Sequence, residues 1–344
     1  MKNSFKIIFM GTPDFAIPSL DSLYKSHHNL CCVVTAPDKK QGRGLRVINS
    51  PVKDYCVKNT IKVIQPENFH SQEFINEIIG YKPDIIVVVA FKILPKKLWE
   101  IPKLGTINIH ASILPNLRGA APINWAIING LKKTGLTSFF INEGVDTGDI
   151  IKIKEIKIND DDNFGSLYEK LRSLSGNFML ESLDEIQKSN GKPQINTKAL
   201  LTAPKLTKEN TRINWLEDGE KIVKKIKGLS PIPGAWSRIE DSKKIIKIYD
   251  SLFHELNHDF EIGKMFIINS NRLMLAINNG AIEVLSLKIE GKKRISGLDY
   301  INGLKNKTIK LIELNKGKIL VSNFTLLNDL EFNKSVIIIV KDDE

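Results

Sequence analysis

Residues 105–150 read GTINIHASILPNLRGAAPINWAIINGLKKTGLTSFFINEGVDTGDI. Thr106, Ile107 and Ile109 open this stretch as an apolar, β-branched run, which predicts a strand. Asn108 and His110 interrupt the run two residues apart. A strand has period two, so both side chains leave the same face. An amide beside an imidazole at a strand end supplies an oxyanion donor and a general acid/base. Leu136–Ile141 is a second apolar run. The turn-rich segment Glu143–Asp149 after it carries Asp146, a carboxylate placed to orient and charge-balance the histidine. Between the runs, Ser112-Ile113-Leu114-Pro115 reads as an extended wall. Arg118-Gly119-Ala120-Ala121-Pro122 reads as the approach to a helix with Pro in its first turn. Taken singly, an Asp in a Gly-rich turn is a turn former and a His at a strand end is structural. Together, at this spacing, they read as a site.

Working outward, Phe5–Met10 is an apolar run that ends at Gly11-Thr12-Pro13-Asp14 and leads into a helical pattern over Ala16–Ser26. Asn29–Thr35 is the next strand. Asp84–Ala90 (DIIVVVA) is continuously apolar, as a central parallel strand is. Helices are expected over Val52–Asn59, Ser71–Ile79 and Ile123–Asn129. Ile150–Ile158 alternates Ile with Lys and Glu, which predicts a half-exposed antiparallel strand. A long amphipathic helix follows over Asn163–Gln187. The sum is an α/β domain, a doubly wound, mostly parallel sheet with the site at the carboxyl ends of its strands. The turn after the first strand is not G-x-G-x-x-G, so a dinucleotide is not indicated. One connection is unusually long: DKKQGRGLRVIN, residues 38–49, carries Lys39, Lys40, Arg43 and Arg46 with two glycines. It is either a functional loop or a solvated insertion.

A chain of 344 residues suggests two domains. Residues 1–191 form the first, and 192–210, with Pro193 and Pro204, read as a linker. Residues 211–320 hold short apolar runs separated by turn signals, which predict a small β-barrel. Residues 321–344 are an extension in which Val336–Val340 could form a strand. The net charge is +11, and residues 205–320 hold 22 Lys/Arg against 14 Asp/Glu, with clusters at Lys221–Lys227, Lys243–Lys247 and Lys292–Arg294. Charge so placed points to a polyanion; a Lys-, Asn- and Ile-rich composition is the alternative source. The three cysteines include no C-x-x-C pair, which argues against a disulfide framework or a zinc site. No apolar stretch approaches 18 residues and the N-terminus has no signal-peptide core. A cytoplasmic monomer without membrane attachment is the expectation.

These motifs resemble the folate-dependent formyltransferase family, over roughly residues 5 to 305. The matching pieces are Met10–Ala16, Thr35–Asp38 with Gly42–Gly44, Ser50–Lys53, Asn108–Pro115, Arg118–Ile123 and Asp146–Asp149. Ala203–Leu206 and Gly291–Arg294 follow. The front loop and the basic second half narrow the likeness to the branch whose acceptor is methionyl initiator tRNA. The resemblance implies a Rossmann-like catalytic domain and an OB-like barrel that binds tRNA. It implies 10-formyltetrahydrofolate as the formyl donor and no metal. It implies catalysis by Asn108, His110 and Asp146, a folate pocket lined by Ser112, Ile113, Leu114 and Pro115, and RNA contacts from Lys39, Lys40, Arg43, Lys292, Lys293 and Arg294. Phe91–Pro95, in the family a folate-side loop, is shorter here than the common pattern. Two other readings stay open: the same three residues would serve a glycinamide ribonucleotide or amino-sugar acceptor, and a relict fold could bind nucleic acid without catalysis.

Overall fold

Runs of Ile, Val and Phe too apolar for an exposed face are stable where both faces of a sheet are covered. The first half of the chain meets that condition. A seven-stranded sheet runs, edge to edge, Ile150–Lys157, Lys133–Phe140, Thr106–His110, Ile85–Val89, Lys6–Gly11, Asn29–Val34 and Val63–Ile64. The last five of these are parallel to one another, and Lys133–Phe140 runs antiparallel to both of its neighbours. Ile8, Met10, Ile86 and Val88 face one side, packed with Phe74 and Ile78 of the helix Gln72–Gly80. Ile7, Phe9, Ile85 and Val87 alternate with them and are fully buried too. Burial of each such side chain contributes about 1.5–3 kcal/mol. The chain builds outward from Lys6–Gly11 on one side, then returns to place Ile85–Val89 on the other. This reversal is a topological switch point, and crevices form there at the carboxyl ends of the strands. Gly11 and His110 are the last residues of their strands.

The computed structural model describes residues 4–41, 46–188, 201–239, 244–304, 310–315, 318–320 and 338–342. The chain divides into two compact units. The first is Met1–Ala126, Lys132–Asn159 and Ser166–Lys205, and the second is Ile127–Leu131, Asp160–Gly165 and Leu206–Glu344. Residues 189–200, which include the first part of the stretch read as a linker, lie outside the described residues, as do 321–337 of the extension. Thr202–Ala203, in the middle of the stretch read as a linker, forms a two-residue strand of the first unit beside Arg118–Gly119.

In the second unit an antiparallel, barrel-like sheet links Ala235–Arg238, Ile245–His254, Gly280–Ile289, Arg272–Ile277 and Met265–Ile268. The helix Gly219–Leu229 covers its core. Asp218 caps this helix, accepting from the backbone N–H of Glu220 (3.0 Å) and Lys221 (3.3 Å). Its Ile222, Val223, Ile226 and Leu229 join the barrel core, and Lys221 stays exposed. Ile338–Asp342 pairs in parallel with Met265–Ile268, as the expected strand of the extension, shifted by two residues. A short helix over Gly297–Asn302 had not been expected. Its signal was readable, because Ser296 and Asp299 form a capping box.

One polar cluster lies on this barrel. Glu283 Oε2 meets Arg272 Nη2 at 2.8 Å and His254 Nε2 at 2.7 Å. Burial raises the Glu283 carboxyl, but Arg272 and His254 together outweigh it and hold the group below its ordinary value. A depressed carboxylate stabilises the fold above the unfolded value of 4.5 and loses that contribution as pH falls through the folded one. Glu283→Gln should therefore lower thermal stability at pH 7 by about 1–3 kcal/mol, and the gap to wild type should narrow at pH 3. Melting curves at the two pH values check this.

Candidate active site

Asn108 and His110 pair in register with Phe139 and Thr137 of the antiparallel strand, and Asn108 pairs with Val88 of the central one. They therefore share the sheet face of Ile86 and Val88, at its carboxyl rim. His110 is 6% exposed. Its Nε2 lies 2.9 Å from the Leu117 carbonyl, which can only accept, so Nε2 carries the hydrogen. Nδ1 is then the nitrogen left for chemistry. It sits 3.7 Å from Asp146 Oδ2, close enough for charge interaction and too far for a hydrogen bond. Asp146 thus faces the ring, but the Leu117 carbonyl fixes its tautomer. Asn108 is half-buried, and its side-chain amide makes no hydrogen bond among the described residues.

Backbone groups hold this arrangement. Asp146 Oδ2 accepts from the Gly119 N–H at 2.9 Å. Asp146 itself is left-handed, φ 53°, and its loop is pinned by Asn142, whose Oδ1 accepts from the Gly144 N–H (3.0 Å) and the Thr147 hydroxyl (2.7 Å). Gly148 closes the loop so tightly that a Cβ there would lie 1.6 Å from the Phe140 carbonyl oxygen. The wall between the strands is fixed from below. The Leu114 N–H donates to Thr137 Oγ1 (3.2 Å), and that hydroxyl donates to the Ser112 carbonyl (2.7 Å). Ser112 Oγ donates to the Asn116 carbonyl at 2.8 Å. Ser112 and Leu114 are buried, and Ile113 and Pro115 are half-buried.

The far end of the wall is held by residues 201–204. Leu117 N–H donates to the Leu201 carbonyl (2.8 Å), Ala121 N–H to that of Ala203 (3.2 Å), and the Trp125 indole to that of Pro204 (2.8 Å). Gly119 has φ 126°, and a Cβ on it would stand 2.4 Å from the Ala203 oxygen. Leu117, Gly119 and Thr137 are the site residues that the sequence reading missed. The first two act through backbone atoms, which no residue letter reveals; Thr137 was visible only as a polar residue in an apolar strand.

Two large apolar side chains stand exposed on the loops that follow the central and antiparallel strands: Ile93 (83%) and Val145 (55%). Lys96 and Glu143 join those loops at 2.6 Å; Lys96 holds the Glu143 carboxyl below its ordinary value and is itself raised. Among the described residues no group of His, Cys, Asp and Glu could hold a metal ion, and no helix is long and apolar enough to cross a membrane. Cys32 and Cys56 are free and buried, which pushes both thiols up to about 12.

Of the expected RNA contacts, Arg43 lies outside the described residues and the side chains of Lys39 and Lys40 are not described. Their backbone is: Lys39–Gln41 pairs antiparallel with Arg46–Ile48, so the stretch read as an irregular loop starts and ends as a hairpin. Lys292, Lys293 and Arg294 are exposed, in the second unit. Arg294 lies 4.4 Å over the Tyr249 ring and donates to Ser286 Oγ at 2.7 Å, which presets its side chain.

An amide and an imidazole thus stand at one carboxyl rim of a largely parallel sheet, with a carboxylate held opposite. Residues 5–183 match the family model described as formyl transferase, and residues 205–305 match that of the formyl transferase C-terminal domain. The chain belongs to the formyl transferase family. It is 43% identical over 303 residues to methionyl-tRNA formyltransferase of Flavobacterium johnsoniae, covering 87% of this chain and 96% of that one. It is 40% identical over 310 residues to the protein of the same name from Bacteroides fragilis, covering 88% and 96%. Among solved structures, HypX from Aquifex aeolicus in complex with tetrahydrofolic acid superposes with a TM-score of 0.59 at 18% identity. That match covers 88% of this chain and 48% of HypX, so the chain spans about half the length of that protein. An N-formyltransferase from Helicobacter canadensis, in complex with folinic acid and dTDP-3-aminofucose, superposes with a TM-score of 0.58 at 22% identity over 81% of this chain and 98% of that one. These two likenesses speak to the fold.

Proposed function

We propose that this chain transfers the formyl group of 10-formyltetrahydrofolate to the α-amine of methionyl initiator tRNA, as a monomer in the cytoplasm. The observation that carries the reading is similarity to methionyl-tRNA formyltransferases along 96% of their length, through both domains. The site suits a folate: exposed Ile93 and Val145 offer apolar contact to a flat ring system, and so do the half-buried Ile113 and Pro115 of the wall. Asn108 supplies an amide donor to the formyl oxygen as negative charge builds on it during attack by the amine. His110 moves a proton through Nδ1, from the attacking amine toward the leaving nitrogen. Asp146 stabilises the charged ring without taking its proton.

RNA contacts are assigned to Lys39, Lys40 and Arg43 of the front insertion and to Lys292, Lys293 and Arg294 of the barrel. The deciding assay offers three acceptors with the same donor: charged initiator tRNA, glycinamide ribonucleotide and a nucleotide-linked amino sugar. Formylation of the tRNA alone is expected. Turnover only with a small acceptor would overturn the assignment, and turnover with none would leave a nucleic-acid-binding protein. Neutralising Lys292, Lys293 and Arg294 together should flatten the dependence of log tRNA affinity on log salt by about two to three units. An unchanged slope would remove these residues from the RNA interface. Arg43→Ala should raise the tRNA KM and leave folate affinity unchanged, as measured by steady-state formylation and folate titration.

A further inference from the structure

Both ends of the front insertion are joined by one polar network. At its entry, Asp38 forms an ion pair with Lys53, and its Oδ1 accepts from Gln65 Nε2 at 2.8 Å. The same amide donates to the Ala36 carbonyl at 2.8 Å. At its exit, Ser50 caps the helix Pro51–Lys58, its Oγ accepting from the Lys53 N–H at 3.1 Å and lying 2.8 Å from Thr35 Oγ1. Lys53 therefore serves both ends, its backbone at the exit and its ammonium at the entry. Ala36 N–H also reaches Thr12 Oγ1 at 3.3 Å, which ties the network to the turn after Gly11.

This is more than a surface ion pair. The Asp38 and Lys53 side chains are only 24% and 21% exposed, so salt screens them less than an open pair. Val52 and Cys56 of the same helix are fully buried. The backbone leaving Asp38 enters the pairing of Lys39–Gln41 with Arg46–Ile48 at once. The network thus sets where, and in what direction, the basic hairpin leaves the carboxyl edge of the sheet. A tether that fixes both ends of a binding segment lowers the entropic cost of engaging a ligand.

We propose that Asp38, Lys53 and Gln65 are positioning residues for the RNA acceptor: they pre-orient the basic hairpin, setting the affinity for tRNA and leaving the chemical step alone. The inference rests on the reading that tRNA is the acceptor. Asp38→Asn keeps an acceptor for Gln65 and removes the charge facing Lys53. It should raise the KM for charged initiator tRNA about tenfold. The kcat at saturating tRNA, the folate KM and the melting temperature should stay close to wild type, and the Val47 and Ile48 amides should exchange hydrogen faster. The exchanged pair, Asp38→Lys with Lys53→Asp, should recover most of the lost affinity. An unchanged tRNA KM in Asp38→Asn beside normal wild-type activity would overturn the proposal and leave the acceptor assignment standing. So would a joint rise of both KM values with lower kcat and melting temperature, the mark of structural support only. A wild-type enzyme that does not formylate charged tRNA would overturn the acceptor assignment, and the clamp's RNA role with it.

Discussion

His110→Ala is expected to lower the single-turnover rate of formyl transfer by a factor of roughly one hundred to one thousand, while folate affinity stays within about twofold. The fall corresponds to about 3–4 kcal/mol of barrier. Under the proposed mechanism the variant loses the group that carries the proton through Nδ1. Asn108→Ala should cost a similar factor through the donor alone. Asp146 allows a finer separation, because its Oδ2 both accepts from Gly119 and faces His110. Asp146→Asn keeps an acceptor for the Gly119 N–H and removes the charge; Asp146→Ala removes both. The alanine variant should be the slower of the two. Rapid-mixing formylation under single-turnover conditions measures all four. A rate for His110→Ala within tenfold of wild type would sink the acid/base role.

Gly119→Ala should be nearly as damaging, although Gly119 contributes no side chain. Its φ of 126° disfavours any L side chain, and the new Cβ would stand 2.4 Å from the Ala203 carbonyl oxygen. Backbone cannot yield as a flexible side chain can, so either Gly119 or residues 201–204 must move. Moving Gly119 withdraws its N–H from Asp146; moving the other strand loosens Leu117 and so His110. We expect kcat/KM to fall at least about a hundredfold and stability by about 2–4 kcal/mol. Gly80→Ala is the control. A Cβ there meets nothing within 4 Å, so stability should hold or rise by about 0.5–1 kcal/mol. Denaturant titration and steady-state kinetics on the two variants test this. Equal behaviour would mean that the wall is not fixed by the close approach at Gly119.

What could be read from the sequence was what side chains carry. The β-branched runs at 85–89 and 106–110 gave strands within a residue or so, because only a sheet covered on both faces buries such runs. Asn108, His110 and Asp146 stood out as polar groups in apolar or turn-rich surroundings, and the structure brings His110 and Asp146 together. What was hidden lies in the backbone or in pairings between distant residues. The Leu117 carbonyl, which sets the His110 tautomer, carries no signature in the letter Leu. The hairpin of 39–41 with 46–48 was hidden because short, charged strands lack the apolar alternation by which strands are recognised. Residues 201–204 were hidden for a different reason: proline and low periodicity mark a linker, and the bonds they make are to a segment eighty residues earlier.

Those last bonds also order events in time. Every strand of the sheet that carries Asn108 and His110 has been synthesised once residue 157 has left the ribosome. The wall that fixes the His110 ring is not yet complete, since it waits for Leu201, Ala203 and Pro204. At about 5–20 residues per second, that is a delay on the order of a few seconds. During it, the nascent chain holds every strand of the sheet without the brace that completes the candidate site. The residues that finish it fall between the two matched family domains, at 183 and 205. A fragment cut after residue 191 would therefore lack the last brace of this sheet's candidate site.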